Sequence, residues 1–449
     1  MKIRVTPRCF TGAVKIPASK SHTIRQLLIA SLAESKSVIK EPLDSHDTRS
    51  CADACETFGA GRTAYRESGG VIEWHIHGVN GFRDSCYRKA ERFTGGLRDI
   101  GSPLKDVKIN VGNSGTTFFF ALAIAGLQEE PVVFTGDEQI QKRSAAPLLN
   151  ALSELGVQSK SNDGCAPVTI HGPWKGGKTA LPCPTSQYLS ALLIAAPLAP
   201  AGVVTEIDVP LLNEKPYVEM TLSYLKKHGI PFEAASDYSR FVIPGGSSWK
   251  GFSGFVPGDF SSAAFPAAAA AITGGPATLL GLDPNDTQGD KYFFDMLKEM
   301  GCRIEWNKEQ VTVSRNNPLR GGTFDLNATP DLLPAAAVTA AFAEGDTTLA
   351  NAAHARIKET DRISVTAKEL AKLGVRCTEL PDGLVIHGKG AVAPPENTVI
   401  DGHGDHRIVM AFSVAALGCP VPVEITDAEC AAITYPGFLE IVAKKTAAS

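Results

Sequence analysis

The sequence predicts an α/β protein in two lobes, each made of three copies of one strand-and-helix repeat. Three observations carry that expectation. A helix-stop glycine recurs at a near-constant interval, an apolar helix begins in a similar way six times, and several strands end alike. Self-similarity at a fixed period is the mark of a repeat architecture and organises everything else in the chain.

The stop signal comes first. Five amphipathic helices close as ACETFGA, LSELGV, YLKKHGI, LKEMGC and AKELAKLGV, placing Gly59, Gly156, Gly229, Gly301 and Gly374 just past each helix end. Glycine there suits the left-handed residue that ends a helix and turns the chain into a strand. The intervals are 97, 73, 72 and 73 residues. The long first interval is explained by a polar, glycine-containing surface excursion at 82–106.

The second signal is a small polar cluster that runs straight into an Ala/Leu-rich helix. It occurs as SKSHTIRQLLIASLA from Ser19, GNSGTTFFFALAIAG from Gly112 and PTSQYLSALLIAAPLA from Pro184. It returns as GDFSSAAFPAAAAAI from Gly258, TPDLLPAAAVTAAFA from Thr329 and GDHRIVMAFSVAAL from Gly404. These helices are apolar nearly all round and are expected to be buried. Their Ser, Thr, Asn and Asp residues are expected to cap the helix starts. A helix start also offers free N–H groups and partial positive charge, which favours anions.

The third signal is the strand ending Ile76-His77-Gly78, repeated at Ile170-His171-Gly172 and Ile386-His387-Gly388, with Ile243-Pro244-Gly245 as a variant. His75 and His77 resemble a metal pair, but His77 occupies a repeated strand-end position, so a structural role is expected. Six helix starts accompany five clear stops. The sixth repeat ends near the last residues, with a helix expected at 436–445 and its missing strand supplied by 2–5. The expected lobes are 18–254 and, closed by the N-terminal strand, 1–17 with 255–449, with crossings near 15–18 and 251–257.

Composition bounds the function. The length of 449 residues taken alone suggests three domains of about 150 residues, whereas the repeat divides it into six. With 44 Lys plus Arg against 48 Asp plus Glu, the net charge of −4 excludes a generally basic nucleic-acid coat. The longest apolar stretch, 189–204, is broken by Ser190 and two prolines and is too short to span a bilayer. Ten cysteines without a CxxC pair read as free thiols in a reducing compartment. With no secretory leader pattern at the start, the expectation is a cytoplasmic, monomeric protein without nucleic-acid or membrane partners.

Reactive residues gather at the repeated helix starts and the loops beside them. Lys20 and Arg25 lie at the first, Arg143 follows Gly136-Asp137, and Gln187 lies at the third. Asp331, the run HARIKETDR from His354 to Arg362, and Asp405-His406-Arg407 follow. Basic side chains beside helix starts describe a site for anionic small molecules, phosphates or carboxylates. The carboxylates among them are candidates for proton transfer. No GxGxxG or GxxxxGK[ST] motif stands in a strand-to-helix setting, so no dinucleotide or P-loop site is expected.

PASKSHTIR, GNSGTT, TSQYLSALLIAAPLA, EKPYVEMT, the Asp331 cluster, RIKETDRI and GDHRIVMAFS occur in order along nearly the whole chain. In these motifs the sequence resembles the 5-enolpyruvylshikimate-3-phosphate synthase (3-phosphoshikimate 1-carboxyvinyltransferase) family. The resemblance implies the enolpyruvyl transferase fold, a two-lobed inside-out α/β barrel of six βαβαββ repeats, with an active site between lobes that close on substrate. It implies transfer of the enolpyruvyl group of phosphoenolpyruvate to shikimate 3-phosphate, with no metal and no organic cofactor. It also implies roles for individual residues. Lys20, Ser21 and Arg25 would contact the acceptor, and Thr185 and Ser186 would hold its phosphate. Gln187 would touch both substrates and Tyr217 would pack on the acceptor ring. Asn113, Gly115 and Arg143 would line the phosphoenolpyruvate side. Asp331 would take the proton of the attacking hydroxyl, Glu359 would handle the proton at the methylene carbon, and Lys358 and His354 would stand at the acceptor hydroxyls. Arg362 and Arg407 would clamp the phosphoenolpyruvate carboxylate, with His406 beside them.

Five positions depart from the family pattern. Ile24 replaces an Asn, Phe119 an Arg, His354 an Asn and Ile433 a Lys, and Glu214 replaces a Ser that helps bind the acceptor's phosphate. A carboxylate about 4 Å from a phosphate costs roughly 4 kcal/mol per unit charge at an effective dielectric of 20. Glu214 is therefore expected either to turn away or pair with Lys215, or to mark a different cyclic polyol as acceptor. A non-catalytic ligand-binding homologue is disfavoured by the retention of Lys20, Asp331 and Glu359 together. A UDP-N-acetylglucosamine transferase is disfavoured by the absence of Cys from 136–146.

Overall fold

A computed structural model describes residues 1–66, 72–82 and 107–443. The excursion expected at 82–106, with Cys86, lies almost wholly outside the described residues. The chain forms two compact units, unit one from Met1–Ser19 with Pro257–Ser449 and unit two from Lys20–Val256.

Among the described residues the α-helices come in pairs, an apolar one and then an amphipathic one. They are α1 (Lys20–Leu32) and α2 (His46–Thr57), α3 (Gly115–Ala125) and α4 (Ala146–Glu154), α5 (Gln187–Ala195) and α6 (Lys215–His228). Unit one holds α7 (Phe260–Thr273) and α8 (Tyr292–Glu299), α9 (Leu333–Ala341) and α10 (Arg362–Lys372), α11 (His406–Leu417) and α12 (Phe438–Ala443). The first member of each pair is buried along nearly its whole length, as a helix without a polar face requires. The second members bury one stripe only; in α8 this is Phe293, Phe294, Met296 and Leu297.

Six small sheets accompany the helices, three in each unit, and all follow one plan. A parallel pair is extended by antiparallel strands. In the second sheet of unit two, Val107–Asn110 runs parallel to Val132–Thr135, Cys165–His171 adds antiparallel, and Gln158–Asn162 pairs with it at the edge. Strand, helix, strand, helix, strand, strand is thus the order within a repeat. The strand Ile3–Val5 pairs antiparallel with Val423–Ile425, so the N-terminus supplies the strand that the last repeat lacks, as expected. Pairing of Gly12–Lys15 with Pro276–Leu280 and of Ser253–Phe255 with Lys36–Lys40 closes the two units in the same way.

The two glycine signals have different physical causes. The helix-stop residues Gly59, Gly156, Gly229, Gly301 and Gly374 have φ of 100°, 93°, 69°, 102° and 81°, the left-handed cap that glycine adopts without strain. The strand-end glycines answer to space instead. A Cβ at Gly78, Gly172, Gly245 or Gly388 would stand 2.2, 2.6, 2.7 or 2.2 Å from the carbonyl oxygen of Ala33, Gly126, Ala199 or Ala343. Each of those oxygens lies at the end of a buried-helix segment, so the Ile-His-Gly motif marks where a strand leaves its sheet against that end.

One expectation is corrected. The polar clusters were expected to cap their own helices, and only Ser114 on α3 and Asp405 on α11 make that bond among the apolar helices with a described cap. Ser186 before α5 and Asp259 before α7 make no such bond. Ser186 turns instead to a neighbouring carboxylate, and Asp259 accepts from the Ser262 hydroxyl at 2.7 Å. Ser186 is thus spent on a tertiary contact and Asp259 on a hydroxyl of its own helix's first turn, rather than on the adjacent N–H groups.

Replacing Gly388 by Ala should destabilise the protein by about 1–3 kcal/mol, the usual cost of forcing a methyl into filled space. Thermal unfolding measures this, and an unchanged midpoint would mean that the close approach to Ala343 is not a constraint.

Candidate active site

In unit two, the first turns of α1, α3 and α5 and the start of α6 carry the candidate residues. Lys20 opens α1, and its Nζ lies 3.1 Å from Asp47 Oδ2 at the start of α2. Asp47 was not among the expected residues; one acidic residue in a helical first turn has no distinguishing sequence signal. Arg25, one turn along α1, is buried. It donates from Nε to Thr221 Oγ1 at 2.9 Å, from Nη1 to the Ser21 carbonyl at 3.1 Å and from Nη2 to the Tyr217 carbonyl at 3.1 Å. Its guanidinium also sits 5.2 Å from the centre of the Phe120 ring. All these hydrogen-bond partners are neutral, and burial pulls the Arg25 pKa down to about 10. A buried cation ringed by neutral acceptors is costly unless an anion arrives to share the site.

Arg25 also ties the predicted residues together. Thr221 Oγ1 donates to Ser190 Oγ at 3.0 Å, so α1, α5 and α6 meet around the guanidinium. On another side, Arg143 Nη2 lies 3.4 Å from Asn113 Oδ1, and Asn113 Nδ2 donates to Gln139 Oε1 at 2.7 Å. Gly115 opens space for this group. A Cβ there would stand 2.5 Å from Arg143 Nη1 and 3.6 Å from Gln187 Oε1. Asn113, Gly115, Arg143 and Gln187 are therefore neighbours, as a shared anion site requires.

Glu214 does not turn away. It is 2% exposed, and its Oε2 accepts from Thr185 Oγ1 at 3.0 Å, from the Ser186 amide at 3.0 Å and from Ser186 Oγ at 2.9 Å. The expectation of an outward side chain fails because three converging donors hold the carboxylate inward.

In unit one the site is a network of charges at the starts of α9, α10 and α11. Arg362 is fully buried and bonds three carboxylates. Its Nη1 donates to Asp331 Oδ1 at 2.8 Å, its Nε to Asp405 Oδ2 at 2.8 Å and its Nη2 to Glu359 Oε2. Arg407 donates from Nη2 to Asp331 Oδ2 at 2.9 Å, and Lys358 Nζ lies 3.6 Å from Asp331 Oδ1. Asp405 also accepts the Arg407 amide at 2.9 Å, fixing the start of α11. One of the three carboxylates on Arg362 and the cap for α11 thus come from the same residue, Asp405. His406 is buried beside it, with Nδ1 3.9 Å from Asp405 Oδ1. His354, standing where the family pattern has Asn, is buried with Nε2 3.1 Å from the Asn327 carbonyl.

Two neighbouring aspartates are pushed in opposite directions. Burial raises the Asp331 pKa, but Arg407, Lys358 and Arg362 outweigh it and hold this carboxyl far below the usual range. Burial first, and then the Asp331 charge, push Asp290 up to about 7, against the pull of Arg407 and the Ser261 hydroxyl bonded to it. Asp290, in the short turn Gly289–Lys291 just before α8, was not expected from the sequence, where nothing around Gln288-Gly289 sets it apart. Pairs whose environments drive their proton affinities apart are typical of acid–base sites.

A family model for EPSP synthase (3-phosphoshikimate 1-carboxyvinyltransferase) matches residues 6–442. The chain belongs to that family. The 3-phosphoshikimate 1-carboxyvinyltransferase of Acetivibrio thermocellus is 42% identical over 446 residues, covering 99% of this chain and 98% of its own. The one from Methanococcoides burtonii is 40% identical and covers 98% of this chain and 97% of its own. The solved EPSP synthase of Acinetobacter baumannii superposes with a TM-score of 0.76 at 28% identity, covering 98% of this chain. The fold is thus the enolpyruvyl transferase fold of EPSP synthases. Ile24 and Phe119, two of the positions expected to depart from the family pattern, are core residues: both are buried, and the Phe119 ring lies 4.9 Å from that of Tyr188.

Replacing Arg25 by Met should leave unfolding stability unchanged or raised, since an apolar side chain removes a buried charge. It should weaken a bound anionic acceptor by about 10–150-fold, the range for a lost charged hydrogen bond. Equal acceptor affinity in calorimetry would remove Arg25 from the site. Asp290 holds its proton more tightly folded than unfolded. Its contribution to stability is complete below the ordinary carboxylate range and is lost as pH rises through about 7. Asp290→Asn should therefore raise the unfolding temperature more at pH 8 than at pH 5, and an equal shift at both would refute this.

Proposed function

We propose that the protein transfers the enolpyruvyl group of phosphoenolpyruvate to the 5-hydroxyl of shikimate 3-phosphate and releases phosphate. The observation that carries this is the Asp331 carboxylate, held among Lys358, Arg362 and Arg407 with Glu359 on the Arg362 guanidinium. The reaction needs a base at the acceptor hydroxyl, an acid and base at the methylene carbon, and cations for a carboxylate and two phosphates. The residues assigned by the resemblance include a candidate for each of these. Family membership and relatives of that name along nearly the full chain support the same reading.

In the first step the 5-hydroxyl oxygen attacks C2 of phosphoenolpyruvate. Its proton passes to Asp331, and the methylene carbon takes a proton handled by Glu359, giving a tetrahedral ketal phosphate. In the second step that carbon returns a proton and the C2–O bond to phosphate breaks. Arg362 and Arg407 take the substrate carboxylate, while Arg143, Asn113 and Gln187 take the phosphate side. Lys20, Ser21, Arg25 and Tyr217 hold the acceptor, Thr185 and Ser186 its phosphate, and Lys358 and His354 its hydroxyls. His406 stands beside Arg407. Of the three cations that suppress the basicity of Asp331, Arg362 and Arg407 are those assigned to the substrate carboxylate. Each one that turns to the substrate raises the proton affinity of Asp331, so the base strengthens when phosphoenolpyruvate is in place. Positioning and fixed charge supply the catalysis, with no cofactor.

A cytoplasmic monomer completes the proposal. The nine described cysteines are all unpaired, which fits a reducing compartment. No helix among the described residues is long and apolar enough to cross a membrane.

Phosphate release should require both phosphoenolpyruvate and shikimate 3-phosphate. Asp331→Ala and Glu359→Ala should each lower turnover at least about 100-fold. Near-native rates in both variants would sink the assignment.

A further inference from the structure

Glu214 stands where the proposed reaction needs to put a phosphate. Its backbone takes a left-handed conformation, φ 56° and ψ 39°, that a side-chain-bearing residue rarely adopts. The side chain that results is buried, and a single oxygen collects two hydroxyls and one amide from Thr185 and Ser186. That amide belongs to the start of α5, whose dipole favours an anion. Arg25 reaches the same two helices one turn further along, near Ser190 on α5 and at the Tyr217 carbonyl on α6. The donors are those of an anion cradle, and the anion in it is part of the protein.

We propose that Glu214 is a built-in competitor for the acceptor's phosphate and so sets acceptor affinity. The proposal rests on the assignment of Thr185 and Ser186 to that phosphate. A carboxylate oxygen and a phosphate oxygen cannot occupy one set of three donors together, and their charges repel at contact distance. Glu214 therefore holds the cradle while the acceptor site is empty, and must swing out or take a proton before phosphate enters. A phosphorylated acceptor meets this cost in full, and an unphosphorylated cyclic polyol does not meet it at all. Unequal dependence on the phosphate is the signature of competition, as distinct from a general loosening of the site.

Glu214→Ser and Glu214→Gln separate the possibilities. Serine is short enough to empty the cradle, and glutamine keeps the packing while removing the charge. Calorimetry would measure shikimate 3-phosphate, shikimate and inorganic phosphate against wild type and both variants. The expected result is shikimate 3-phosphate tighter by about 10-fold or more with Glu214→Ser, tighter by a smaller factor with Glu214→Gln, and shikimate changed by less than about 3-fold. Inorganic phosphate should gain in the same order. The proposal is overturned if the variants bind shikimate 3-phosphate no better than wild type, or if shikimate gains as much. Should Glu214→Ser fail to fold, Glu214→Gln decides alone. Turnover with phosphoenolpyruvate is read separately. Its absence in every form would defeat the assigned reaction, while the response to inorganic phosphate would still decide whether Glu214 competes for the cradle.

Discussion

Six helices without a polar face impose the constraint from which the rest of the structure follows. A helix such as FSSAAFPAAAAAIT has nowhere to meet water along its length, so sheets and partner helices must cover it on all sides. Alanine lets those layers come close, and the strand-end glycines are what closeness demands where a strand passes the helix end. Charged groups are consequently concentrated in the first turns of these helices and in the loops beside them. The chemistry sits there because the buried helix leaves few other places for it.

The two units treat buried charge differently. In unit two, Arg25 is surrounded by hydroxyl and carbonyl oxygens, so its charge is left for a ligand to meet. In unit one, Arg362 is met by Asp331, Glu359 and Asp405, so a ligand carboxylate has to compete with carboxylates already in place. Either arrangement makes anion binding an exchange rather than a simple addition. The first exchanges an unmet desolvation cost for an ion pair. The second exchanges one carboxylate for another and, in doing so, releases a base. Glu214 brings the second logic into unit two, where it fills the Thr185–Ser186 donors.

Much of the site was legible because the family motifs are local. Lys20, Ser21 and Arg25 lie within six residues, and Lys358, Glu359 and Arg362 within five, so each motif implies its own cluster. The residues that were missed act across distance. Asp47 pairs with Lys20 from the next helix, Thr221 and Ser190 join Arg25 from two others, and Asp290 nears Asp331 from a different repeat. None lies in a distinctive sequence neighbourhood, since a carboxylate or hydroxyl gains its role only from what folding sets beside it.

The amino-acid sequence by itself determined the six repeats, their helix pairs, the stop glycines and the closing of the last sheet by the first strand. Each of these is set by periodicity and backbone preference, which act within a few residues or recur along the chain. Tertiary structure alone decided which polar residues cap helices and which reach across to a neighbour. It also decided that Phe119 and Ile24 are core, and that the proton affinities of Asp290 and Asp331 are pushed in opposite directions. Above all it decided the direction of Glu214. The sequence showed a carboxylate at a phosphate position but not whether it faced in or out. That depended on three donors from the two residues just before α5 converging on the residue just before α6, a property of packing that no local pattern encodes.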